Sequence, residues 1–310
     1  MKQPNKAVRI HSYGNQEVTS LDLIDIPQPA AGKVVVRVHA AGVNAIDRKI
    51  REGVLKDYFP LPFPITLGAE LSGTVHAVGA EVDGFFNGMR VFGFMPTLGA
   101  FADYVEVDAA LLTSTPDGLP DVVAASLPIA ALTAWQALFE TGQLKAGQIV
   151  LIQGAAGGVG SMAVQLAKRA GARVIATASA RNLEYVAALG ADVVVDYRAA
   201  QPFAHLAASV DLVLDLAGGP ALDLLWPLLR EAGVLVSTAA PELAARTPAN
   251  RTGLWFQMRP EPQRLAEIAA LVLQREIKAE VASLFPLDSV SEAIDYGYSG
   301  KGRGKAVVQF

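Results

Sequence analysis

From residue 149 onward the apolar positions gather into short runs separated by amphipathic stretches. Runs at 149–153, 173–177, 192–196, 211–216 and 233–237 predict strands. Between the first two, Met162, Ala163, Leu166, Ala167 and Ala170 recur with helical spacing, while Gln165, Lys168 and Arg169 face the other way. Gly171 follows, where a helix end tolerates positive φ. Further helices are predicted over 182–189, closed by Gly190, and over 220–230. Alternation of strand and helix at this spacing predicts a doubly wound parallel sheet.

The start of the chain has another rhythm. Val34, Val36 and Val38 alternate with Val35, Arg37 and His39, the pattern of a half-buried strand. Gly73-Thr-Val-His-Ala-Val-Gly79 and Arg90-Val-Phe-Gly93 follow, punctuated by Gly84 and Gly88. Phe59-Pro-Leu-Pro-Phe-Pro64 predicts an extended loop, because proline at every second position precludes a helix. This part predicts a β-rich, barrel-like unit. Near Pro260 the pattern shifts again, with a helix predicted over 263–275 (Leu265, Ile268, Ala269 and Val272 on one face). A last strand over 305–310 is expected to return to the N-terminal unit. The α/β fold so predicted divides into 1–125 with 262–310, the β-rich unit, and 126–261, the parallel sheet.

Composition narrows the class. The chain of 310 residues is long enough for two domains, 52% hydrophobic and 18% charged. Its formal charge of −4, without a basic run, argues against a nucleic-acid partner. There is no cysteine, which excludes disulfides and cysteine-ligated metals and agrees with a cytoplasmic location. The N-terminus lacks an apolar signal core. Segments 122–139 and 149–167 are uncharged, but the first is broken by Leu127-Pro128 and the second contains a glycine turn, so no membrane span is predicted.

That glycine turn is the main chemical signal. The strand 149–153 runs into Gly154-Ala-Ala-Gly-Gly-Val-Gly160 and then a helix. Backbone approach to a pyrophosphate and free N–H groups at a helix start make such a turn a dinucleotide cradle, assigned to Ala155, Gly157, Gly158, Val159 and Gly160. Ala155 stands where the first glycine of G-x-G-x-x-G is expected. The second strand ends in Ala176-Thr-Ala-Ser-Ala-Arg-Asn182 without the acid that accepts both ribose hydroxyls in NAD-type folds. Ser179 and Arg181 there suit a 2′-phosphate, favouring NADPH over NADH; alternatively Ser179 or Asn182 caps the next helix and Arg181 is solvated. Leu216 and Ala217 follow the fourth strand at the carboxyl edge, where open sheets bind ligands. His11, His39, His76 and His205 are scattered, so no metal site is predicted.

Several segments together resemble the zinc-independent quinone oxidoreductases of the medium-chain dehydrogenase/reductase superfamily. They are Val43-Asn-Ala-Ile-Asp-Arg-Lys-Ile-Arg-Glu-Gly53 (the family's N-P-x-D segment), Leu67-Gly-Ala-Glu-Leu-Ser-Gly73, Gly99-Ala-Phe-Ala-Asp-Tyr-Val105, Ala124-Ala-Ser-Leu-Pro128, Leu132-Thr-Ala-Trp135, the glycine turn, and Arg303-Gly-Lys-Ala-Val307. The resemblance implies a Rossmann domain with a GroES-like barrel, a homodimer and NADPH. It places Asn44 and Asp47 near nicotinamide, Lys49 and Thr133 near the cofactor, Tyr197 near the adenosine phosphate, Phe256 on the nicotinamide side, and Arg303 and Lys305 near the phosphates. A charged turn before the last strand explains the last two equally well, and a tyrosine ending a strand explains Tyr197. Lys49 replaces the tyrosine of many quinone reductases and resembles plant enone and alkenal oxidoreductases; a solvated helix lysine is the alternative. Zinc alcohol dehydrogenases of the superfamily have Cys near position 44 and His in Gly-His-Glu, whereas Asn44 and Ala69 stand here.

The activity implied is hydride transfer from NADPH to a quinone or to the β-carbon of an enal or enone. Tyr58, beside the proline loop, is a candidate proton donor, with a packed loop tyrosine as the alternative reading. An NADPH-binding structural or regulatory protein and an acyl-thioester enoyl reductase remain open. No basic cluster suits the carrier of the latter.

Overall fold

In a computed structural model, residues 4–58, 60–204, 206–298 and 302–310 are described; Phe59 and His205 lie outside them. The alternating N-terminal segments form strands β1 (Asn5–Ile10), β2 (Thr19–Ile24), β3 (Lys33–Gly42), β4 (Ile65–Thr66), β5 (Glu70–Val78), β6 (Arg90–Phe94), β7 (Tyr104–Asp108) and β8 (Leu112–Ser114). Helix α1 (Ala45–Arg51) leaves the end of β3, and α2 (Asp121–Ala125) and α3 (Pro128–Trp135) follow β8. After α3 a π-helical stretch, Gln136–Thr141, leads on to β9 (Ile149–Gln153). Then come α4 (Gly158–Arg169), β10 (Arg173–Ala178), α5 (Leu183–Ala188), β11 (Val193–Asp196), β12 (Val210–Asp215), β13 (Leu229–Ser237), α6 (Leu243–Arg246) and β14 (Thr252–Trp255). The chain closes with α7 (Pro262–Leu273), β15 (Val281–Pro286), α8 (Val290–Tyr298) and β16 (Lys305–Gln309).

These elements make two units. The first comprises Met1–Ile129, Pro260–Gln274 and Glu280–Phe310; the second comprises Ala130–Arg259 and Arg275–Ala279. In the first, a sheet of order β15-β16-β3-β5-β6-β8, with β7 also on β3, stands beside a small sheet β2-β1-β4. Its core gathers Val36, Val38, Leu67, Leu71, Val91, Met95 and Phe101 with Val290, Ile294 and Val308 from the C-terminal segments. The last strand does return here, pairing Val307 with Gly42 and Val308 with Ala41 on β3. That antiparallel register brings the start of β16 to the point where β3 gives way to α1.

The second unit is a parallel six-stranded sheet of order β11-β10-β9-β12-β13-β14. The order reverses direction beside β9, so the turns after β9, β10 and β12 share one carboxyl edge, the topological switch point where open sheets bind ligands. One predicted helix is absent. Over 220–230 the chain makes 3₁₀ turns at Pro220–Leu224 and Trp226–Leu228 and already enters β13 at Leu229. Pro227 explains the difference: it lacks an N–H, its ring clashes with the carbonyl four residues back, and it disfavours helical backbone at Trp226.

Candidate functional site

Within the second unit, Gly154 turns the chain out of β9 at φ 80°, and Gly157 begins α4 in ordinary extended backbone (φ −78°, ψ 177°). The first bond into the helix is Ser161 N–H to Gly157 O at 2.9 Å; the Gly157 N–H donates back to Gly154 O at 3.2 Å, while the N–H groups of Gly158 and Val159 point outward as at any helix start. The two later glycines differ in kind. A Cβ on Gly160 would meet Gly154 O at 2.2 Å and Ala155 Cα at 2.6 Å, so Gly160 lets the helix pack on its own turn. A Cβ on Gly157 would meet only Gly154 O at 3.6 Å and would fill open space. That exposed cradle in front of a helix start fits a phosphate. Ala155 is not part of it: its side chain is 0% exposed and its N–H donates to Thr177 O at 3.1 Å. Beside the turn, Gln153 is buried with Oε1 lacking a partner, an acceptor at the same edge.

The turn after β12 is built by a buried carboxylate. Asp215 accepts from the N–H groups of Ala217 (3.0 Å) and Gly218 (2.9 Å), and the Ser237 hydroxyl donates to it at 2.7 Å. Ser237 in turn accepts from Ala239 and Ala240 N–H, both at 3.1 Å. One brace thus shapes two loops of the carboxyl edge, presenting half-buried Leu216 and exposed Ala217. The Ala217 N–H is consumed by Asp215, so only its side chain faces outward. Phe256, half-buried, is tied to the same edge by its N–H on Ser237 O at 3.0 Å. Thr133 is buried in α3.

At the ends of β10 and β11 the predicted residues come together. Ser179 is buried, its carbonyl accepts from Asn182 N–H at 2.8 Å, and its hydroxyl makes no cap bond. Arg181 is exposed nearby. Tyr197 donates its N–H to Ala178 O at 3.3 Å, and the Arg198 guanidinium lies over its ring, 5.2 Å from the centroid. Arg198 was not read from the sequence; the signal was available as a cation beside Tyr197.

In the first unit the predicted residues form a buried network instead of a lining. Asn44 caps α1. Asp47 at the third helical position accepts from Asn44 N–H at 2.7 Å and from Gly68 N–H at 3.2 Å. Asp47 is 0% exposed, and burial pushes its carboxyl up to about 7 against these donors and the charge of Lys305. Lys305, at the start of β16, donates to Val43 O (2.9 Å), Asn44 Oδ1 (2.6 Å) and Glu70 Oε1 (2.5 Å). The Asn44 amide donates to Glu70 Oε1 at 2.8 Å, and Glu70 Oε2 accepts from Ile129 N–H at 2.7 Å. A Cβ on Gly42 would lie 2.2 Å from Glu70 Oε1, so the carboxylate sits directly against the strand end.

Three expectations change. Asp47 is enclosed, with one oxygen accepting from Asn44 N–H and the other from Gly68 N–H, so it braces the α1 turn. Asn44 is only half-buried, but its side-chain groups are turned inward. Lys305 has spent all three ammonium donors inside the fold and has none for a phosphate. Lys49 is half-buried on α1, Arg303 is exposed before β16, and Tyr58 is 75% exposed after α1, open to solvent within its unit. Glu70 was missed as a site residue, although an acid inside an apolar strand needs a cation somewhere.

Two family models match the chain, the second of them across parts of both units. The family model of the alcohol dehydrogenase GroES-like domain matches residues 30–117, and that of the zinc-binding dehydrogenases matches residues 189–308. A chloroplast envelope quinone oxidoreductase homolog of Arabidopsis thaliana is 30% identical over 98% of this chain and 98% of its own. A 2-methylene-furan-3-one reductase of Solanum lycopersicum is 30% identical over 98% of this chain and 78% of its own. The structure of the Escherichia coli quinone oxidoreductase complexed with NADPH superimposes with a TM-score of 0.90 at 25% identity, covering 98% of this chain and 100% of that one.

A zinc ion does not fit these residues. Among the described residues no three His, Cys, Asp or Glu side chains converge. His11 pairs with Asp22 at 2.8 Å, His39 with Asp121 at 3.0 Å, and His76 packs edge-on against Tyr104. Among the described residues, no helix is long and apolar enough to cross a membrane.

Proposed function

We propose that this chain, which belongs to the zinc-independent quinone oxidoreductase family of the medium-chain dehydrogenase/reductase superfamily, binds NADPH and reduces a quinone or the C=C bond of an α,β-unsaturated carbonyl. The observation that carries the reading is the open cradle at Gly157: space for a Cβ that the protein does not use, at a helix start on the switch-point edge of a parallel sheet.

Gly157 would leave room for the pyrophosphate, the Gly158 and Val159 N–H groups would hold it, and Gly160 would keep α4 close enough for its dipole to act. Ser179, Arg181, Tyr197 and Arg198 surround the place of the adenosine ribose. Two guanidiniums there, and no acid at the end of β10, favour a 2′-phosphate and hence NADPH. Gln153, Leu216 and Phe256 belong to the same edge and would order the remaining half of the dinucleotide. When bound, the nicotinamide supplies a hydride from C4. The acceptor takes that hydride and one proton, so a quinone leaves as hydroquinone, and an enone as the saturated carbonyl. Tyr58 is 75% exposed within its unit and so is not a packed loop tyrosine; it or water would supply the proton. The similarity to a quinone oxidoreductase homolog and to a furanone reductase supports both acceptor classes.

A homodimer is part of the proposal. Strand β14 is the outermost strand of its sheet, and Leu254 and Trp255 on it are 37% and 47% exposed. The test is oxidation of NADPH and NADH, followed at 340 nm, against a panel of quinones, enals and enones. Turnover of at least one acceptor class with preference for NADPH is expected. Tight NADPH binding with no turnover on any acceptor would instead make this a cofactor-binding protein.

A further inference from the structure

The zinc-binding dehydrogenase match and the absence of a zinc ligand set raise the question of what stands in the buried site at the end of β3. We infer that the Lys305 ammonium is the resident cation of this site, held in an oxygen cage, and that it sets the shape of the turn from Val43 to Asp47. The inference concerns the first unit alone; only its turnover arm rests on the proposed activity.

The cage has three walls. Val43 contributes its main-chain carbonyl, Asn44 its Oδ1 and Glu70 one carboxylate oxygen, all within 2.9 Å of Nζ. An ammonium has three N–H donors and no acceptor, so it matches three oxygens one to one. Glu70 is 0% exposed and Lys305 only 7%, so neither charge is hydrated in compensation. A buried carboxylate without its cation is strongly unfavourable, whereas a paired and fully hydrogen-bonded one is tolerated.

The ammonium also decides which way Asn44 points. With Nζ on Oδ1, the Asn44 amide must face Glu70, where it donates at 2.8 Å. The Asn44 backbone N–H is then free for Asp47, whose second oxygen reaches Gly68. One cation from the last strand therefore fixes β3, the turn, α1 and the start of β5. Lys305 reaches across 261 positions to Asn44 and 235 to Glu70. The donor set is also wrong for zinc, which prefers nitrogen and sulfur ligands, but right for an ammonium.

Chemical complementation tests the inference. Lys305→Ala should leave a cage that binds small alkylammonium ions added to the solution. Methylammonium through n-propylammonium should raise the melting temperature of Lys305→Ala in a saturable way and leave the native protein unchanged. Tetramethylammonium, which has no N–H, should do nothing. Hydrogen exchange in a peptide covering 43–51 should accelerate roughly tenfold or more in Lys305→Ala and return towards native rates with the amine. Turnover should recover in parallel.

A Glu70→Gln/Lys305→Met double variant guards against simple misfolding. It removes both charges, so it should melt closer to the native protein than Lys305→Ala does, yet exchange in 43–51 should stay fast, because Asn44 has lost its director. Stabilisation by tetramethylammonium equal to that by methylammonium would overturn the cage. Native exchange rates over 43–51 in the double variant would overturn the positioning role. If the native protein reduces no acceptor while the exchange result holds, the proposed activity fails and the caged cation stands.

Discussion

Gly157 and Gly160 are three residues apart in one turn, yet alanine at the two positions should act on different quantities. At Gly160 the new Cβ would lie 2.2 Å from Gly154 O and 2.6 Å from Ala155 Cα, both backbone atoms that cannot rotate away. Helix and turn must part by about 1 Å, an overpacking cost of roughly 1–3 kcal/mol, offset by about 1 kcal/mol of helix propensity. A net loss of about 1 kcal/mol corresponds to roughly 2–4 °C in melting temperature for a unit of this size. At Gly157 the nearest atom is 3.6 Å away and φ is −78°, so alanine is unstrained. Its poorer N-cap preference, about 0.5–1 kcal/mol, is nearly balanced by the lower entropy of the unfolded chain. Gly157→Ala should therefore melt within about 2 °C of the native protein, while its Cβ occupies the phosphate cradle and raises the Kd for NADPH at least about tenfold, or 1.4 kcal/mol. Thermal unfolding by circular dichroism and titration of NADPH fluorescence measure the two effects. Equal NADPH affinity in Gly157→Ala and the native protein would refute the cradle. A Gly160→Ala protein that melts like the native one would refute the packing argument.

Arg198→Ala should weaken NADPH roughly tenfold and leave NADH nearly unchanged, because an arginine–phosphate contact is charge-assisted and NADH lacks that phosphate; Arg181→Ala should act in the same direction, and a loss equal for both cofactors in either variant would remove that residue from the 2′-phosphate. Asp47 gives a pH signature. Burial raises its carboxyl from 3.8 to about 7, so the fold favours the protonated form, and stability from this group is full below about pH 4 and declines as pH rises through 7. Equilibrium unfolding of Asp47→Asn between pH 4 and 8 should lack that decline, and an unchanged slope would show that Asp47 does not titrate there. Trp255→Glu on the edge strand should convert a dimer to a 32.6 kDa monomer by light scattering, and a native protein already monomeric would refute β14 as the interface.

The parallel sheet was readable because its signals are local. Strand 149–153 coincides with β9, since a continuous apolar run bounded by a glycine turn and a helix has one favourable arrangement. The missing helix over 220–230 was also legible in principle: Pro227 sits inside the apolar pattern that suggested it, and a proline outweighs periodicity. Ala155 shows the limit of motif reading, because whether its N–H faces a ligand or Thr177 depends on how β9 and β10 lie together.

The sequence by itself determined five strands of the parallel sheet, β9 to β13, the glycine turn and the lack of an acid after β10, all of which depend on neighbours within a few residues. It also ruled out thiolate ligands by composition. Only the tertiary structure decided what Asn44, Asp47 and Lys305 do. The Asn44 and Asp47 side chains turn inward and the Lys305 ammonium is bonded to Val43, Asn44 and Glu70, because β16 folds back on β3 and delivers Lys305 to Glu70 across 235 positions. A buried charge is governed by whatever the fold sets beside it, and that neighbour can come from anywhere in the chain.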